Sequence, residues 1–497
     1  MKWGTIKNHT WVYALASSWG LVFVWGVYRM AYSLLAPSCG ILAGLNPNTH
    51  IADGVFLSLT VIAFSVTAYY ALWRGNVTDR ERTWLFIFGM LGVFIAFVSV
   101  PFNTHDSSYY FGAAQAVHSG VNVYTTPWIL HKQFVCEPSS MVVDGISYGP
   151  LALWLFWGAY VLGAKTFVGF MLAWKVFMIM GLVGVAALTS IIETKKEKTK
   201  TITTFIITTF PFAIWEIVGS GHFDVWWIFI TLAALMSAQY KKWWISFPLL
   251  ALGIWIKFLP LLVVPWVFLW WIQDTKKENW KHNVIQLVVA EVLSVVVTVV
   301  SWAHWWQGIE TLRPIVLQAK WAVASIFSAF YYSAAPLAAA LWGESYHWIL
   351  TRIVHIVLLL GVAYLLWPLA VRAWRVLTKK EQWTSAEYLC AIIITLCAYI
   401  IVWQKSFWPW YVAWLVLLSL SADIRENRYA KKIITWIAIA PLTFYVVLTW
   451  YAIFYNADVV GKLWFNWLIV VLWVYPLVML ILWRKKKYAL SCVDKNV

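Results

Sequence analysis

The feature that most constrains this chain is a series of long apolar runs separated by short basic loops. Many of the runs reach the roughly 20 residues that a helix needs to cross about 30 Å of hydrocarbon. Apolar residues make up 62% of the chain and charged residues 12%, whereas soluble domains are about half apolar and a quarter charged. The 39 tryptophans suit belts at the two membrane interfaces. We therefore predict an all-α polytopic membrane protein.

The net charge of +16 is an orientation signal rather than a nucleic-acid footprint. Most of the 37 Lys and Arg residues lie in short loops between apolar runs, and basic loops stay on the cytoplasmic side of a membrane. This pattern predicts both termini in the cytoplasm, membrane lipids as the surroundings and no nucleic-acid partner. No cleavage-site pattern follows the first apolar run, so we expect that run to be a retained helix.

Charge parity limits which apolar stretches can cross the membrane. Neighbouring cytoplasmic clusters must be separated by an even number of crossings. Three apolar stretches nevertheless lie between Arg82 and Lys195, at about 84–101, 149–163 and 166–191. The middle stretch is short, rich in Trp and begins at a proline, so we predict a helix lying along the outer interface.

The same parity rule applies to two later stretches. Residues 243–272 must form a hairpin of two short helices that turns near 257–260. Residues 321–342 must stay outside as a re-entrant or interfacial segment. The outcome is a bundle of about 12–14 transmembrane helices, with interfacial helices in a long outer loop.

The bundle divides into three parts along the chain. An N-terminal pair of transmembrane helices precedes a core, and C-terminal helices follow it. The core and the C-terminal part each carry a long outer loop. Two cysteines, Cys39 and Cys136, fall outside in this topology and could form a disulfide. The three parts are 1–83, 84–300 and 301–497, and the outer loops are 102–165 and 304–348.

The unusual polar residues of the chain fall on the outer side in this topology. Ionisable groups in membrane proteins usually face a cavity and mark a functional site. An acid among several cations on one side therefore predicts one outward-facing site. The residues are His105, Asp106, His222, Asp224, Lys257, Arg313 and Lys405.

Four of these residues also have a purely structural interpretation. Asp106 opens a helix-like stretch and is in a position typical of a helix N-cap. Lys257 is long enough to reach lipid headgroups, Arg313 could meet anionic lipid, and His222 could satisfy a neighbouring carbonyl. Three further ionisable residues lie inside apolar runs and have no assigned role: Lys175, Glu216 and Glu291.

Several segments of the core resemble a known family of membrane enzymes. The first outer loop reads H-D-S-S-Y-Y-F-G-A-A-Q-A-V-H-S-G-V-N-V-Y and later I-S-Y-G-P-L-A-L-W-L-F, which resembles the same loop of the C-superfamily (GT-C) glycosyltransferases. It is most similar to the polyprenyl-phosphate-mannose-dependent mannosyltransferases of glycosyltransferase family 87. The segments G-S-G-H-F-D-V-W-W-I and A-L-G-I-W-I-K-F-L-P-L-L resemble the family's polar turn and its lysine-bearing hairpin. The resemblance covers about residues 84–300. It departs at Tyr148-Gly149-Pro150, where the family usually has two prolines.

The resemblance implies an inverting transferase that moves a hexose, mannose, from polyprenyl phosphate to an acceptor hydroxyl at the outer face of the cell membrane. Asp106 would be the general base, with His105 as a rival. A His–Asp pair together with Asp224 could instead form a metal site, but this branch of the superfamily is not known to need a metal. We therefore expect no metal and no other cofactor, because the lipid-phosphate sugar is itself the donor. The sequence contains no Gly-rich phosphate loop for a nucleotide.

The resemblance also suggests which groups contact the substrates. The leaving lipid phosphate develops negative charge, and cations fixed in a low-dielectric site stabilise such charge. The sequence leaves the acceptor open among a glycolipid, a polysaccharide and a protein of the cell envelope. The cation candidates are Lys257, Arg313, His222 and Lys405, and the candidate sugar contacts are Tyr110 and Tyr148.

A lipid-linked oligosaccharide flippase, a polysaccharide polymerase or another polytopic transporter is the alternative to a transferase. A flippase would carry ionisable residues along its whole transport path. In this chain the inner halves of the apolar runs are mostly free of them, with Lys175, Glu291 and Glu387 as exceptions. A secondary transporter would tend to show broken helices in both of its halves, and only one short hairpin is evident.

Overall fold

The computed structural model describes the central part of the chain and a C-terminal helix. Most of the predicted N-terminal helix pair lies outside the described residues, and so do Lys405, Cys39 and Cys136. The described residues are 79–98, 104–131, 140–193, 214–275, 280–317, 325–404, 411–419 and 463–485, with the single residues 20, 24 and 408.

The described part of the chain is almost entirely helical, which confirms the prediction of an all-α polytopic membrane protein. Within the described ranges, four helical segments are long and apolar enough to cross a membrane. The total number of crossings and the side on which each loop lies stay predictions. The four segments are Phe167–Thr189, Trp280–Trp302, Ile326–Leu377 and Ser385–Trp403.

The described elements are helices of varied length and one pair of short strands. Those before residue 257 are α1 (Asp79–Val98), α2 (Thr104–His118), β1 (Trp128–His131), β2 (Ser140–Val143), α3 (Pro150–Leu162), α4 (Phe167–Glu193), a π-helical turn (Trp215–Gly219), α5 (Asp224–Gln239) and α6 (Trp243–Ile256). Those after it are a 3-10 turn (Leu259–Leu262), α7 (Val264–Thr275), α8 (Trp280–Trp302), a 3-10 turn (Ile309–Leu312), α9 (Arg313–Leu317), α10 (Ile326–Trp342), a 3-10 turn (Gly343–Ser345), α11 (Tyr346–Leu377), α12 (Ser385–Ala398), a second π-helical turn (Tyr399–Trp403), α13 (Tyr411–Ser419) and α14 (Leu463–Lys485).

The chain forms two compact units, each made of separate segments. The first unit contains the predicted first outer loop and every described candidate site residue, and the second contains most of the C-terminal helices. The first unit consists of Met1–Ser237, Trp244–Pro260 and Val289–Gln318. The second consists of Ala238–Trp243, Leu261–Val288 and Ala319–Val497.

In the first unit, the predicted outer loop contains α2, a β-hairpin and α3. The strands β1 and β2 are antiparallel, with Trp128 opposite Val143 and His131 opposite Ser140. The sequence predicts interfacial helices in this loop but not the hairpin. Strands of four residues show too little alternation of apolar and polar residues to be separated from a loop by pattern alone.

The helix that charge parity requires at 149–163 is present as α3. It starts at Pro150, which suits a first turn because proline lacks the N–H that this position leaves unbonded. Its buried face includes Phe156, Ala159 and Tyr160 and packs against α2 and α4. Thirteen residues extend about 20 Å, which is shorter than the hydrocarbon core, as an interfacial helix requires.

The residue before α3 explains the departure from the two-proline motif. A Cβ atom on Gly149 would lie 2.0 Å from the carbonyl oxygen of Trp255. The N–H of Gly149 also donates to the carbonyl of Ile256 at 3.3 Å. Proline lacks that N–H and would add a ring in the occupied space. The close approach of this loop to the end of α6 therefore requires glycine.

The lysine-bearing helix break occurs where the sequence predicts it. The helix α6 ends at Ile256, and a 3-10 turn precedes the start of α7 at Val264. The N–H of Lys257 still donates to the carbonyl of Gly253 at 3.0 Å, so the lysine lies directly on the last turn of α6. The chain thus has two short helices here rather than one long one.

In the second unit, the stretch predicted to stay outside at 321–342 contains the 17-residue helix α10. It packs against α11, and only the three residues of a 3-10 turn join the two helices. The two therefore form a helical hairpin. Whether α10 lies outside the membrane stays a prediction.

One of the unassigned ionisable residues, Lys175, hydrogen-bonds the C-terminal end of a helix in the first unit. Lys175 on α4 is buried, and its Nζ donates to the carbonyls of Ala96 and Phe97 at 2.8 and 3.2 Å. These carbonyls belong to the last turn of α1, where a cation complements the negative end of the helix dipole. Another unassigned residue, Glu291, is exposed on α8.

Candidate active site

The turn that carries His222 is built from the segment G-S-G-H-F-D between the first π-helical turn and α5. Gly221 has a φ of +80°, which side chains with a Cβ rarely allow. Its carbonyl accepts a hydrogen bond from Nε1 of Trp174 at 2.7 Å. The N–H of His222 donates to the carbonyl of Glu216 at 3.1 Å. These bonds hold the turn from both sides and fix the position of the imidazole.

Asp106 lies inside the first turn of α2, at the third residue of the helix. An N-cap precedes the first helical residue, so the N-cap interpretation does not describe this position. The side chain of Asp106 is 20% exposed, and its Oδ2 lies 3.5 Å from Nδ1 of His222. Next to it, Oγ of Ser107 donates to the carbonyl of Ser220 at 3.3 Å. The start of α2 is therefore attached to the His222 turn.

The other side of His222 faces a buried acid, Glu216. Nε2 of His222 lies 3.2 Å from Oε2 of Glu216, and each side chain is only 1% exposed. Burial alone lowers the pKa of His222, but the hydrogen bond and charge of Glu216, with the charges of Asp106 and Asp224, raise it above 6.5. The turn therefore favours the imidazolium form, with a carboxylate at each ring nitrogen.

A second ion pair joins the helix break to the start of α5. Nζ of Lys257 lies 2.5 Å from Oδ1 of Asp224, and the two side chains are 18% and 2% exposed. Nε1 of Trp227 donates to the same oxygen at 3.2 Å. Nζ of Lys257 is also 5.6 Å from the ring centroid of Phe223. Lys257 thus reaches solvent at one edge and is anchored at the other.

Aromatic side chains support the cluster from within the first unit. The ring of Tyr110 stacks on Phe156 at a centroid distance of 4.7 Å and meets Phe223 edge-on at 5.5 Å. Tyr148 meets Phe223 edge-on at 4.9 Å. Tyr110 is fully buried, whereas Tyr148 is half-buried. Of these two candidate sugar contacts, Tyr148 therefore has surface left for a ligand, whereas Tyr110 is enclosed by other side chains.

The other predicted site residues are placed differently. Arg313 starts α9, its side chain is 70% exposed, and its Nη1 lies 3.8 Å from Oε2 of Glu310. His105 occupies the first turn of α2, but only its backbone is described, and Lys405 lies outside the described residues. The structure thus brings together Asp106 and His222, in addition to the pair formed by Asp224 and Lys257.

The charge balance of this site differs from the sequence expectation of one acid among several cations. Three carboxylates, those of Asp106, Glu216 and Asp224, accompany two basic side chains, His222 and Lys257. Both basic groups already face an acid. Among the described residues, no group of three or more His, Cys, Asp and Glu side chains has the arrangement to hold a metal ion.

Glu216 is the member of the cluster to which sequence analysis assigned no role. It lies in an apolar run, six residues before His222 and eight before Asp224. A buried carboxylate so close in sequence to a polar turn is the signal that could have identified it. The contact itself depends on the π-helical turn, which the sequence pattern does not predict.

The fold and the cluster together define a class of protein. Apolar helices make the chain an integral membrane protein. A part-exposed carboxylate supported by buried charged groups in one turn is an arrangement typical of functional sites in enzymes. The class is therefore that of integral membrane enzymes.

Comparison with protein families identifies which enzymes these are. The model of the MptA_B family, described as alpha-(1->6)-mannopyranosyltransferase, N-terminal domain, matches residues 21–273. This range is half of the chain, and the chain belongs to this family, which supports the predicted mannosyltransferase of GT-C type. The matched range includes the whole cluster from Asp106 to Lys257, whereas Arg313 and Lys405 lie beyond it. No curated protein matches the chain.

Proposed function

We propose that the protein transfers mannose from a polyprenyl-phosphate donor to an acceptor hydroxyl at the outer face of the cell membrane, with inversion at the anomeric carbon. The observation that carries this proposal is the position of Asp106, a carboxylate at the surface of the cluster with His222 directly behind it. Membership of a mannosyltransferase family supports mannose as the transferred sugar.

Asp106 is the general base in this scheme. The acceptor oxygen forms a bond to the anomeric carbon while the bond from that carbon to the phosphate oxygen breaks, and its electron pair leaves with the lipid phosphate. The acceptor proton moves to Asp106 as positive charge builds on the attacking oxygen. Among the three acids of the cluster, Asp106 is the one a substrate can reach, because Glu216 and Asp224 are buried.

One displacement with one base predicts inversion. A retaining transferase of the double-displacement type would need a nucleophile to hold the sugar between two steps. The buried Glu216 and Asp224 already face His222 and Lys257, so neither is placed to attack a sugar from solvent. The scheme therefore gives an α-linked product from a β-linked donor.

The departing lipid phosphate needs positive charge close to it. Lys257 is the best placed candidate, because Asp224 anchors it while part of its side chain reaches solvent. Arg313 offers a planar fork that matches phosphate geometry and is exposed in the same unit. Lys405 lies outside the described residues and stays a candidate from the sequence alone.

A lipid-linked donor suits both the sequence and the membrane setting. The chain has no Gly-rich loop for a nucleotide sugar, and nucleotide sugars are absent from the outer face. The basic loops orient the first outer loop, and with it Asp106, away from the cytoplasm. The acceptor is a hydroxyl of a glycolipid, a polysaccharide or a protein of the cell envelope, and no metal or other cofactor takes part.

The test is sugar transfer by purified protein in liposomes, with radiolabelled polyprenyl-phosphate mannose and a native lipid extract as acceptor. Asp106→Asn should lower the transfer rate about 10²–10⁴-fold, the usual contribution of a general base. Asp144→Asn is the matched control, because Asp144 is an exposed acid in the same outer loop, and it should transfer at the wild-type rate.

Two results would contradict this assignment. Wild-type transfer by Asp106→Asn would remove Asp106 from the chemistry. Loss of transfer in His105→Gln together with retained transfer in Asp106→Asn would make His105 the base instead.

A further inference from the structure

We propose that Glu216 and His222 act together as positioning residues for Asp106: the buried Glu216 carboxylate holds His222 as an imidazolium, and the Nδ1–H of that imidazolium orients the Asp106 carboxylate. This role rests on the proposed function of Asp106 as the general base. It gives His222 a different task from the phosphate-binding cation that the resemblance implies.

The geometry places His222 between the two acids. Its Nδ1 faces Oδ2 of Asp106 at 3.5 Å and its Nε2 faces Oε2 of Glu216 at 3.2 Å. An imidazole with a carboxylate oxygen near each ring nitrogen is favoured in the form that carries both protons. Because His222 is 1% exposed and lies behind Asp106, it is poorly placed to meet a lipid phosphate directly.

Charge balance also favours this state. With a protonated His222, two cations accompany the three carboxylates Asp106, Glu216 and Asp224. With a neutral His222, Lys257 would be the one cation to accompany the same three carboxylates. The negative charges of Glu216, Asp106 and Asp224 all raise the pKa of His222 and so favour the imidazolium.

The backbone fixes the positions of Glu216 and His222 relative to each other. Both lie on one continuous segment, the π-helical turn and the turn after it, and the N–H of His222 bonds to the carbonyl of Glu216. Trp174 holds Gly221, and Ser107 attaches the start of α2 to the same turn. The side chains of Glu216, His222 and Asp106 are therefore held in fixed positions relative to one another.

Within the described ranges, the charged groups of the elements adjoining His222 can be followed one by one. The helix α5 contributes Asp224, which is paired with Lys257, and α2 contributes Asp106. The helix α4 carries Lys175, which donates to the end of α1. The charged residues of α1 lie in its first turn, at 79–82, at the other end of that helix. Glu216, Asp106 and Asp224 therefore set the charge of His222.

The chemical consequence concerns the two oxygens of Asp106. A proton donor at Oδ2 fixes the carboxylate plane and leaves Oδ1 to receive the acceptor proton. A positioning group of this kind acts on turnover rather than on substrate affinity, so its loss should lower kcat and leave KM nearly unchanged.

The experiment is a pH–rate profile of mannosyl transfer by the wild type, Glu216→Gln and His222→Gln. Loss of the Glu216 charge lowers the pKa of His222, so the Nδ1 proton is lost at a lower pH. Glu216→Gln should therefore lose activity on the alkaline side earlier than the wild type, with kcat down about 100-fold there, KM unchanged, and near-wild-type turnover restored at acidic pH. Glu344→Gln, an exposed acid on a 3-10 turn, is the matched control and should follow the wild-type profile.

The profile of His222→Gln adds a second criterion. Glutamine carries no charge and does not titrate, so the alkaline decline should disappear and kcat should stay low and flat on the alkaline side. A Glu216→Gln profile parallel to that of the wild type would overturn the proposal, whatever its height, because a merely structural role is not restored by acid. If Glu216→Gln does not fold, the profile of His222→Gln is the deciding test. An alkaline decline in His222→Gln like that of the wild type would overturn the proposal.

A measurement without substrate separates this proposal from the proposed function. The raised pKa of His222 stabilises the fold fully below about pH 6.5, the unfolded value, and this stabilisation is lost as pH rises through the folded value. The thermal midpoint of the wild type should fall across that window, and that of Glu216→Gln should fall less. Asp106→Asn combined with Glu216→Gln should be non-additive. Parallel curves and additive shifts would overturn the coupling, even for a protein that transfers no mannose.

Discussion

Each of the two units contains a cluster of acidic and basic side chains, and the two clusters differ in their structural role. In the second unit, Nη2 of Arg372 bonds Glu381 and lies 3.0 Å from Oε1 of Glu387. Glu387 also accepts from the N–H of Thr384 at 2.8 Å, which completes the cap of α12. In this cluster the charges satisfy a helix end, and all three ionised side chains reach solvent.

The cluster of the first unit is buried more deeply. His222 and Glu216 are buried, and the acid that does reach solvent, Asp106, is not the cap of its helix. Burying an ion pair gives little net stability, so a chain that keeps one in a turn gains something other than stability. Each cluster has one acid more than it has bases, so the difference between them is the burial of His222 and Glu216, and buried ionisable groups are what points to a functional site.

The sharpest test of this difference removes the cation from each cluster. Lys257→Met should lower the free energy of unfolding by about 3 kcal/mol, because it leaves the buried Asp224 without its partner, and should abolish transfer. Arg372→Met should lower it by about 1 kcal/mol, as expected for part-exposed pairs, and leave transfer intact. Thermal unfolding in detergent and the mannose transfer assay measure both. Equal losses of transfer in the two variants would remove the distinction between the clusters.

A smaller effect is expected at the glycine that shapes the His222 turn. Gly221→Ala should cost about 1–2 kcal/mol, because alanine disfavours the left-handed backbone of this position, and a Cβ would lie 3.1 Å from Cδ1 of Trp174. Turnover should fall as well, since the turn positions His222. A variant with wild-type turnover would show that the turn geometry does not matter for the site.

The smallest effect is expected at the cap of α12. Thr384→Ala removes the hydroxyl that accepts from the N–H of Glu387 at 3.3 Å, which should cost about 1 kcal/mol. Transfer per folded molecule should not change, because the cap has no contact with the chemistry. A loss of turnover in this variant would assign the second cluster a role in catalysis.

The sequence predicted those parts of the fold that depend on composition and charge counting. The all-α class, the short helix starting at Pro150 and the helix break at Lys257 are present in the structure, whereas the interfacial position of that helix stays a prediction. Each of them follows from a local signal, such as a proline at a helix start or an apolar run of limited length. The β-hairpin of the first outer loop was missed, because its strands are too short to show a pattern.

The active-site cluster was predicted only in part. The sequence identified Asp106, His222 and Asp224 as residues of one outer site, but gave no role to Glu216. Its contact with His222 requires the π-helical turn and the left-handed Gly221, and the order of residues along the chain does not predict that turn. The sequence also predicted an excess of cations, since counting charges on one side of a membrane does not reveal which of them are already paired.

The most direct test of the account is whether the wild-type protein moves mannose from the lipid phosphate to an acceptor. Purified protein in liposomes should be given polyprenyl-phosphate mannose or nucleotide-linked mannose, and the linkage of the product determined by NMR. The account predicts transfer from the lipid donor alone, with an α-linked product from a β-linked donor. Transfer from the nucleotide donor, retention of the donor configuration, or passage of the lipid-linked sugar across the bilayer without any transfer would contradict it.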